Sequence, residues 1–229
     1  MNLLADLIEL LLPERCAGCS EASVLLCDVC ALPLQGPARS AGTAPEGLPP
    51  PWTVAAYEGP LRTILSAYKE RGRTALAVPL GEALATALQA ALASLEPPQT
   101  VVWVPSRRRS VKRRGHDPLR GTVAVALHRL RAEGLQVTGV NALRQRRRVG
   151  DQAGLTAAQR LTNLHGALET TRPEIAGRQV ILVDDVVTTG ASLAEAARAL
   201  RAAGATPAAA ATIAATPRRH PRPTRHHPP

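Results

Sequence analysis

Residues Val180 to Leu193 read VILVDDVVTTGASL, and no other stretch constrains the fold as tightly. Four apolar residues, Val180 to Val183, run into two adjacent carboxylates, Asp184 and Asp185. Thr188, Thr189, Gly190, Ala191 and Ser192 then form a small-residue turn ahead of an alanine-rich helical pattern. A buried strand that carries acids to its C-terminal tip and turns into a helix has the layout of a phosphate–sugar site in an open α/β sheet. Free N–H groups and the dipole at the helix start favour a phosphate dianion there. The hydroxyls of Thr188, Thr189 and Ser192 add donors, and Gly190 lets the backbone approach a ligand without a Cβ clash.

The acids narrow the ligand. Two carboxylates beside a phosphate cradle repel a bare polyphosphate, so they call for hydroxyls or a bound cation. Ribose 2′- and 3′-hydroxyls and a pyrophosphate carrying Mg2+ meet that demand. The formal net charge of +10 also points to anionic partners, either phosphorylated small molecules or nucleic acid. Composition weakens the charge argument. Arginine, alanine and proline are abundant, phenylalanine is absent and the lysines are Lys69 and Lys112, the pattern of GC-rich coding. With aromatic residues at 2%, the core must rest on Leu, Val and Ala.

All four cysteines fall in one pattern, C-x2-C-x7-C-x2-C, at Cys16, Cys19, Cys27 and Cys30. Each pair can present two thiolates from one turn, and two such knuckles complete the tetrahedral four-thiolate set that structural Zn2+ prefers. Two disulfides are the alternative, disfavoured in a reducing compartment. No segment holds the roughly 18–20 uninterrupted apolar residues of a membrane-spanning helix, so no membrane insertion is expected. The leucine-rich start, Leu3 to Leu12, lacks a basic region before it and is broken by Asp6 and Glu9. It predicts a short amphipathic helix rather than a signal peptide, in a cytoplasmic protein.

Along the chain, residues 1–31 form an N-terminal helix and cysteine module, and the prolines of residues 32–51 read as a linker. A strand is predicted at Trp52–Tyr57, helices at Leu61–Lys69 and from about Ala75 to Leu95, and a buried strand at Val101–Val104. The run Arg107-Arg108-Arg109-Ser110-Val111-Lys112-Arg113-Arg114-Gly115 follows as a loop leaving that strand's C-terminal tip. It is either a solvated loop or a contact for ligand or nucleic acid. A helix from Pro118 to Ala132, a strand near Val140–Leu143, a second basic loop over Arg144–Gln152 and a helix over Thr156–Leu164 come next. After the acid-bearing strand and its helix, Pro207–Ala214 supplies a last strand. A basic, disordered tail closes the chain at residues 217–229.

Taken in order, these parts resemble the ComF/GntX family of type I phosphoribosyltransferase-like proteins. The likeness rests on the cysteine module, Tyr68-Lys69 before Arg71-Gly72, Val104-Pro105 and Arg113-Arg114-Gly115. It continues through Arg144 with Gln152, then Arg160, Asn163 and Gly166, to the Asp184–Ser192 stretch. One departure stands out: after Arg114-Gly115 the family commonly shows an aromatic residue and Asn-Gln, whereas this chain reads His116-Asp117-Pro118.

The resemblance implies an α/β fold with a mostly parallel central sheet flanked by helices over residues 52–216, plus a small N-terminal four-cysteine zinc module. It implies that Asp184 and Asp185 hold the ribose and Mg2+ of 5-phosphoribosyl-1-pyrophosphate (PRPP), and that residues Thr188 to Ser192 bind its 5-phosphate. Lys69 and Arg71 would meet pyrophosphate, with Arg113, Arg114 or Arg144 closing over it. Two functions stay open. One is a role in DNA uptake and natural transformation, with single-stranded DNA on Arg107, Arg108, Arg109 and Lys112 and competence-machinery proteins as partners. The other is a phosphoribosyltransferase of nucleotide salvage, with Asp184 and Asp185 as catalytic residues.

Overall fold

Strand alternation organises the structure around the apolar run that precedes the acids. In the computed structural model, residues 14–22, 24–41, 47, 49–93, 95–97, 99–106, 108–146 and 156–217 are described, with the backbone alone at 108, 109, 157, 158, 160 and 161. The strands are β1 (Arg39–Ser40), β2 (Pro51–Ala56), β3 (Gln99–Trp103), β4 (Val137–Val140), β5 (Leu143–Gln145), β6 (Leu168–Thr170), β7 (Gln179–Val187) and β8 (Thr206–Ala215). The helices are α1 (Asp28–Ala31), α2 (Gly59–Glu70), α3 (Ala77–Leu92), α4 (Arg108–Arg114), α5 (Pro118–Ala132), α6 (Ala157–Leu164) and α7 (Ala191–Ala202).

Six strands join in the order β1-β2-β8-β7-β3-β4. Every pairing from β2 to β4 is parallel, and β1 adds an antiparallel edge. A parallel sheet buried on both faces needs apolar residues on both sides of each strand. β7 meets that need by alternation. Ile181 and Val183 pack with α2, α3 and α5, while Val180 and Leu182 pack with α7 and the β5–β6 hairpin. Leucines on α3 replace the missing aromatics: Leu80, Leu84 and Leu88 are fully buried at helical spacing. The stretch Thr74–Leu92 is the one helix among the described residues long and apolar enough to cross a membrane, and its buried face packs against β8, β2 and α5.

Four segments depart from the sequence-based expectation. The basic run is a helix, α4, and not a loop. Its end is set at Gly115, whose φ of 76° lets its N–H reach back to the Val111 carbonyl at 2.9 Å. The strand expected near Val140–Leu143 is two strands broken at Asn141-Ala142, so Arg144 begins no loop but pairs with Glu169 across the β5–β6 hairpin. β6 itself is too short and too polar for periodicity to reveal. The proline-rich stretch over 32–51 carries a 3-10 turn at Leu32–Leu34 with Leu34 buried, then β1, then Pro51 as the first residue of β2.

Helix starts follow local chemistry. Asp117 caps α5 by accepting from the Arg120 N–H, and Pro118 fills the first helical position, so the unusual Asp117-Pro118 pair is a helix start. Thr156 and Gln159 exchange side-chain and backbone hydrogen bonds, a capping box ahead of α6. The leucine-rich helix at Leu3–Leu12, Arg107, the side chains of Arg108, Arg109 and Arg160, most of the second basic loop including Gln152, and the tail beyond residue 217 lie outside what is described.

Candidate functional site

β7 does not end where its apolar run ends. Its ladder continues through the acids, with Asp184 opposite Thr212, Val186 opposite Ala214 and Val187 opposite Ala215 of β8. Consecutive strand residues point to opposite faces, so the pleat separates the two carboxylates. Asp185 follows Ile181 and Val183 to the α2 side, and Asp184 follows Val180 and Leu182 to the α7 side. The sequence presents the pair as one unit; the backbone gives each acid its own neighbours.

Asp185 meets Lys69, which the last turn of α2 delivers. Its carboxylate oxygen stands 2.6 Å from the Lys69 ammonium, with both side chains about a quarter exposed, at 22% and 27%. Burial alone would lower the Lys69 group, but Asp185 and then Asp184 outweigh it and hold it above the usual lysine range. Asp184 accepts the Asp185 backbone N–H at 2.8 Å. Burial, and secondarily the neighbouring Asp185 charge, push Asp184 up to about 8, against the opposing pull of Lys69. Among the described residues one cation, Lys69, meets this acid pair, which leaves it short of positive charge.

Asp184 also lines a small concave pocket with Val187, Thr188, Thr189, Gly190, Ala191 and Ser192. Gly190 adopts a left-handed conformation, φ 75°, at the start of α7. The Thr189 hydroxyl accepts the Ala191 N–H at 3.4 Å, and the Gly190 carbonyl takes the Ala194 N–H at 2.9 Å. The start of α7 thus lines the pocket, where a helix N-terminus favours a phosphate group.

The arginines predicted to close over a pyrophosphate fall into three places. Arg113 and Arg114 both bind Glu70, the residue after Lys69, so α4 is tied to the end of α2. Arg144 pairs with Glu169 at 2.8 Å on the β5–β6 hairpin. Arg71 turns away and donates to the Thr63 carbonyl at 3.2 Å. The geometry thus groups Lys69 with Asp185 and sets Arg71 on another surface. Lys112 projects from α4 into solvent.

Sequence reasoning missed two supports. The Tyr68 hydroxyl donates to the Pro118 carbonyl at 2.7 Å, fixing α2 beside α5, and burial first, then Asp117 and Asp185, push it up to about 12. Glu195, 3% exposed, accepts the Leu168 N–H at 2.9 Å and pairs with Arg198 at 2.7 Å, while Arg198 also donates to the Leu168 carbonyl. Burial would raise the Glu195 group, but Arg198 and backbone donors hold it below the usual carboxylate range. The Glu195-x-x-Arg198 spacing on a helix was the available signal, and it reads on sequence as an ordinary surface ion pair.

The four cysteines converge. Their sulfur atoms all lie within 4.8 Å of one another, with Cys16 and Cys30 buried. The Sγ atoms of Cys16 and Cys19 each stand 3.7 Å from that of Cys27. That is too long for a disulfide, and it matches the edge of a tetrahedron with metal–sulfur bonds of about 2.3 Å, roughly 3.8 Å. Gly18 and Cys27 N–H groups donate to the Cys16 sulfur at 3.4 Å. Burial would raise the Cys16 thiol, but backbone donors led by Cys27 hold it down at about 6. The donor set fits one four-coordinate metal ion.

Comparison with known proteins places these features. The phosphoribosyl transferase domain family matches residues 119–227, a span that includes the acid-bearing strand and its turn. The DNA utilization protein YhgH of Escherichia coli strain K12 is 32% identical over 197 residues, covering 81% of this chain and 83% of that protein. The protein of the same name from Salmonella typhimurium is 31% identical over 81% of this chain and 82% of its own length. Competence protein F of Haemophilus influenzae is 28% identical over 81% of this chain and 83% of its own. At this identity and coverage, this chain belongs to the ComF family of phosphoribosyltransferase-like proteins.

Proposed function

We propose that this chain binds PRPP with Mg2+ at the end of β7 and serves DNA uptake, contacting single-stranded DNA through α4. The observation that carries the first half is the 2.6 Å contact between Lys69 and Asp185, whose chain neighbour Asp184 lines the Thr188–Ser192 pocket. A cation, a pair of acids and a helix start at the end of one strand complement a ligand with hydroxyls in its middle and phosphates at both ends. In this reading the α7 N–H groups and the hydroxyls of Thr188, Thr189 and Ser192 hold the 5-phosphate. Asp184 and Asp185 accept the ribose hydroxyls and hold the hydrated cation. Lys69 exchanges its carboxylate partner for pyrophosphate, with Arg113 and Arg114 adjacent through Glu70. Bound Mg2+ supplies charge neutralisation to the pyrophosphate.

The DNA half rests on the relatives, whose names are DNA utilization protein and competence protein F, and on the basic helix. Lys112 is exposed on α4 and meets no carboxylate among the described residues. The four cysteines hold a structural Zn2+, which a reducing cytoplasm leaves them free to do.

Two measurements test the reading. Mg2+ with PRPP raises the melting temperature of the wild type by several degrees and leaves Asp185→Asn unmoved; equal shifts in both would remove the site. Deletion of the gene lowers transformation frequency, restored by wild type and not by the Asp184→Asn/Asp185→Asn variant. Normal transformation in the deletion strain would sink the DNA-uptake half.

A further inference from the structure

A second cleft opens on the same C-terminal edge of the sheet, on the β2 side of the acid pair, lined by Tyr57, Arg62, Thr63, Ser66 and Arg71. β2 carries Tyr57 to this edge. Ala56 is in register with Ala215 of β8, Ala215 with Val187 of β7, and the Tyr57 N–H donates to the Ala215 carbonyl at 2.8 Å. Helix α2 supplies the facing wall. Arg62, Thr63 and Ser66 lie within one turn of each other on its exposed side, opposite the buried Leu61, Ile64 and Leu65.

Among the described residues, no carboxylate pairs with the cations of this cleft. The Arg62 guanidinium sits 5.7 Å from the centre of the Tyr57 ring, and Arg71 is held by the Thr63 carbonyl at 3.2 Å. Arg73, Arg113, Arg114, Arg129, Arg144 and Arg198 each meet a carboxylate. Among the described residues neither Arg62 nor Arg71 does, and Glu70, beside Arg71 in sequence, is already committed to α4. Two guanidiniums, two hydroxyls and one partly exposed ring on a single surface combine anion binding with a stacking face.

We infer that this cleft is a nucleotide-binding site, separate from the phosphate cradle at Thr188–Ser192. Arg62 and Arg71 hold the phosphate or phosphodiester, and the Thr63 and Ser66 hydroxyls donate to its oxygens. The base stacks on the Tyr57–Arg62 pair. Arg62, Ser66 and Lys69 form a row along α2, and the seven residues from Arg62 to Lys69 advance about 10 Å. The bound nucleotide therefore lies beside the acid pair and leaves the cradle free. The chemistry is that of a free mononucleotide or of one unit in a single strand; only the second source rests on the DNA-uptake reading.

The test uses the full-length, metal-loaded protein. Dye-labelled oligo-dT of twelve nucleotides is titrated by fluorescence anisotropy and dTMP by calorimetry, against wild type, Arg62→Glu, Arg62→Lys and Tyr57→Ala. Thermal melts establish that each variant is folded. Binding should weaken at least tenfold in Arg62→Glu and severalfold in Tyr57→Ala and survive in Arg62→Lys, while the shift with Mg2+ and PRPP stays that of the wild type. Wild-type affinity in both Arg62→Glu and Tyr57→Ala overturns the cleft and leaves the DNA reading standing. Cleft-dependent binding of the oligonucleotide assigns the strand as the source. Cleft-dependent binding of dTMP alone keeps the cleft as a free-nucleotide site and removes the DNA contact. No binding of either ligand by the wild type overturns both.

Discussion

Lys69 and Asp185 meet at 2.6 Å across two elements distant in sequence, the last turn of α2 and the end of β7. The contact makes the lysine part of the acid site before any ligand arrives. Replacing Lys69 with Met leaves two carboxylates adjacent with no cation between them. The expected outcome is a loss of PRPP affinity of about tenfold or more, each tenfold being roughly 1.4 kcal/mol, measured by calorimetry with Mg2+ present. An unchanged dissociation constant would show that Lys69 serves packing alone.

Asp184 gives the stability a pH dependence of definite sign. Its group is raised from the ordinary carboxylate range to about 8, so between these limits the folded chain keeps a proton that the unfolded chain releases. The contribution is fully present below about pH 4 and is lost as pH rises through about 8. Asp184→Asn, which needs no proton, should melt a few degrees above wild type at pH 8.5 and close to it at pH 4. Melting curves at the two pH values decide the point, and an equal difference at both would remove the buried-acid explanation.

Metal removal should reach past the cysteine module. Cys16 and Cys30 are buried in the same apolar cluster as Leu61, Ile64 and Leu65 of α2. We expect one zinc per chain by a colorimetric thiol-release assay, none in Cys19→Ser, and a fall in melting temperature of roughly 5 °C or more on chelation. A metal-free protein with an unchanged melting curve would count against a structural ion.

Glu195 anchors the hairpin to α7 through the Leu168 N–H and Arg198. Glu195→Ala strands a buried N–H and one partner of an ion pair, at a cost of about 3 kcal/mol. Urea denaturation measures it, and a change below about 0.5 kcal/mol would contradict the anchoring role.

Gly81 lies where α3 crosses α5. A Cβ there would stand 2.5 Å from that of Val125 and 3.0 Å from the Thr122 carbonyl. Alanine normally favours a helix over glycine, yet Gly81→Ala should destabilise by about 1–3 kcal/mol because the helices must part. Chemical denaturation gives the sign directly.

The parts legible in sequence are those whose chemistry is local. The β7–α7 stretch, the cysteine spacing and the long apolar helices each carry their own signal, and the fold class followed from them. Other features depended on neighbours distant in the chain. α4 reads as a loop because seven mostly basic residues have no apolar face; Glu70 on α2 gives Arg113 and Arg114 partners that the run itself lacks. β6 exists because Leu143–Gln145 pairs with it and Glu195 caps its first N–H. Resemblance places Lys69 near the site, but its contact with Asp185 depends on α2 packing against β7, and the parting of the two acids on β7 extending through both of them.

That register bears on how the protein is made. β8 is the last described strand to be synthesised, yet it lies between β2 and β7. Until Thr206–Ala215 is made, α3 and α5 can already pack, but no strand joins β2 to β7, and the Asp184 strand has an open edge on one side. The sheet therefore closes only after Thr206–Ala215 has been made. A chain truncated before Thr206 would expose two sticky edges to the cell's proteases and chaperones.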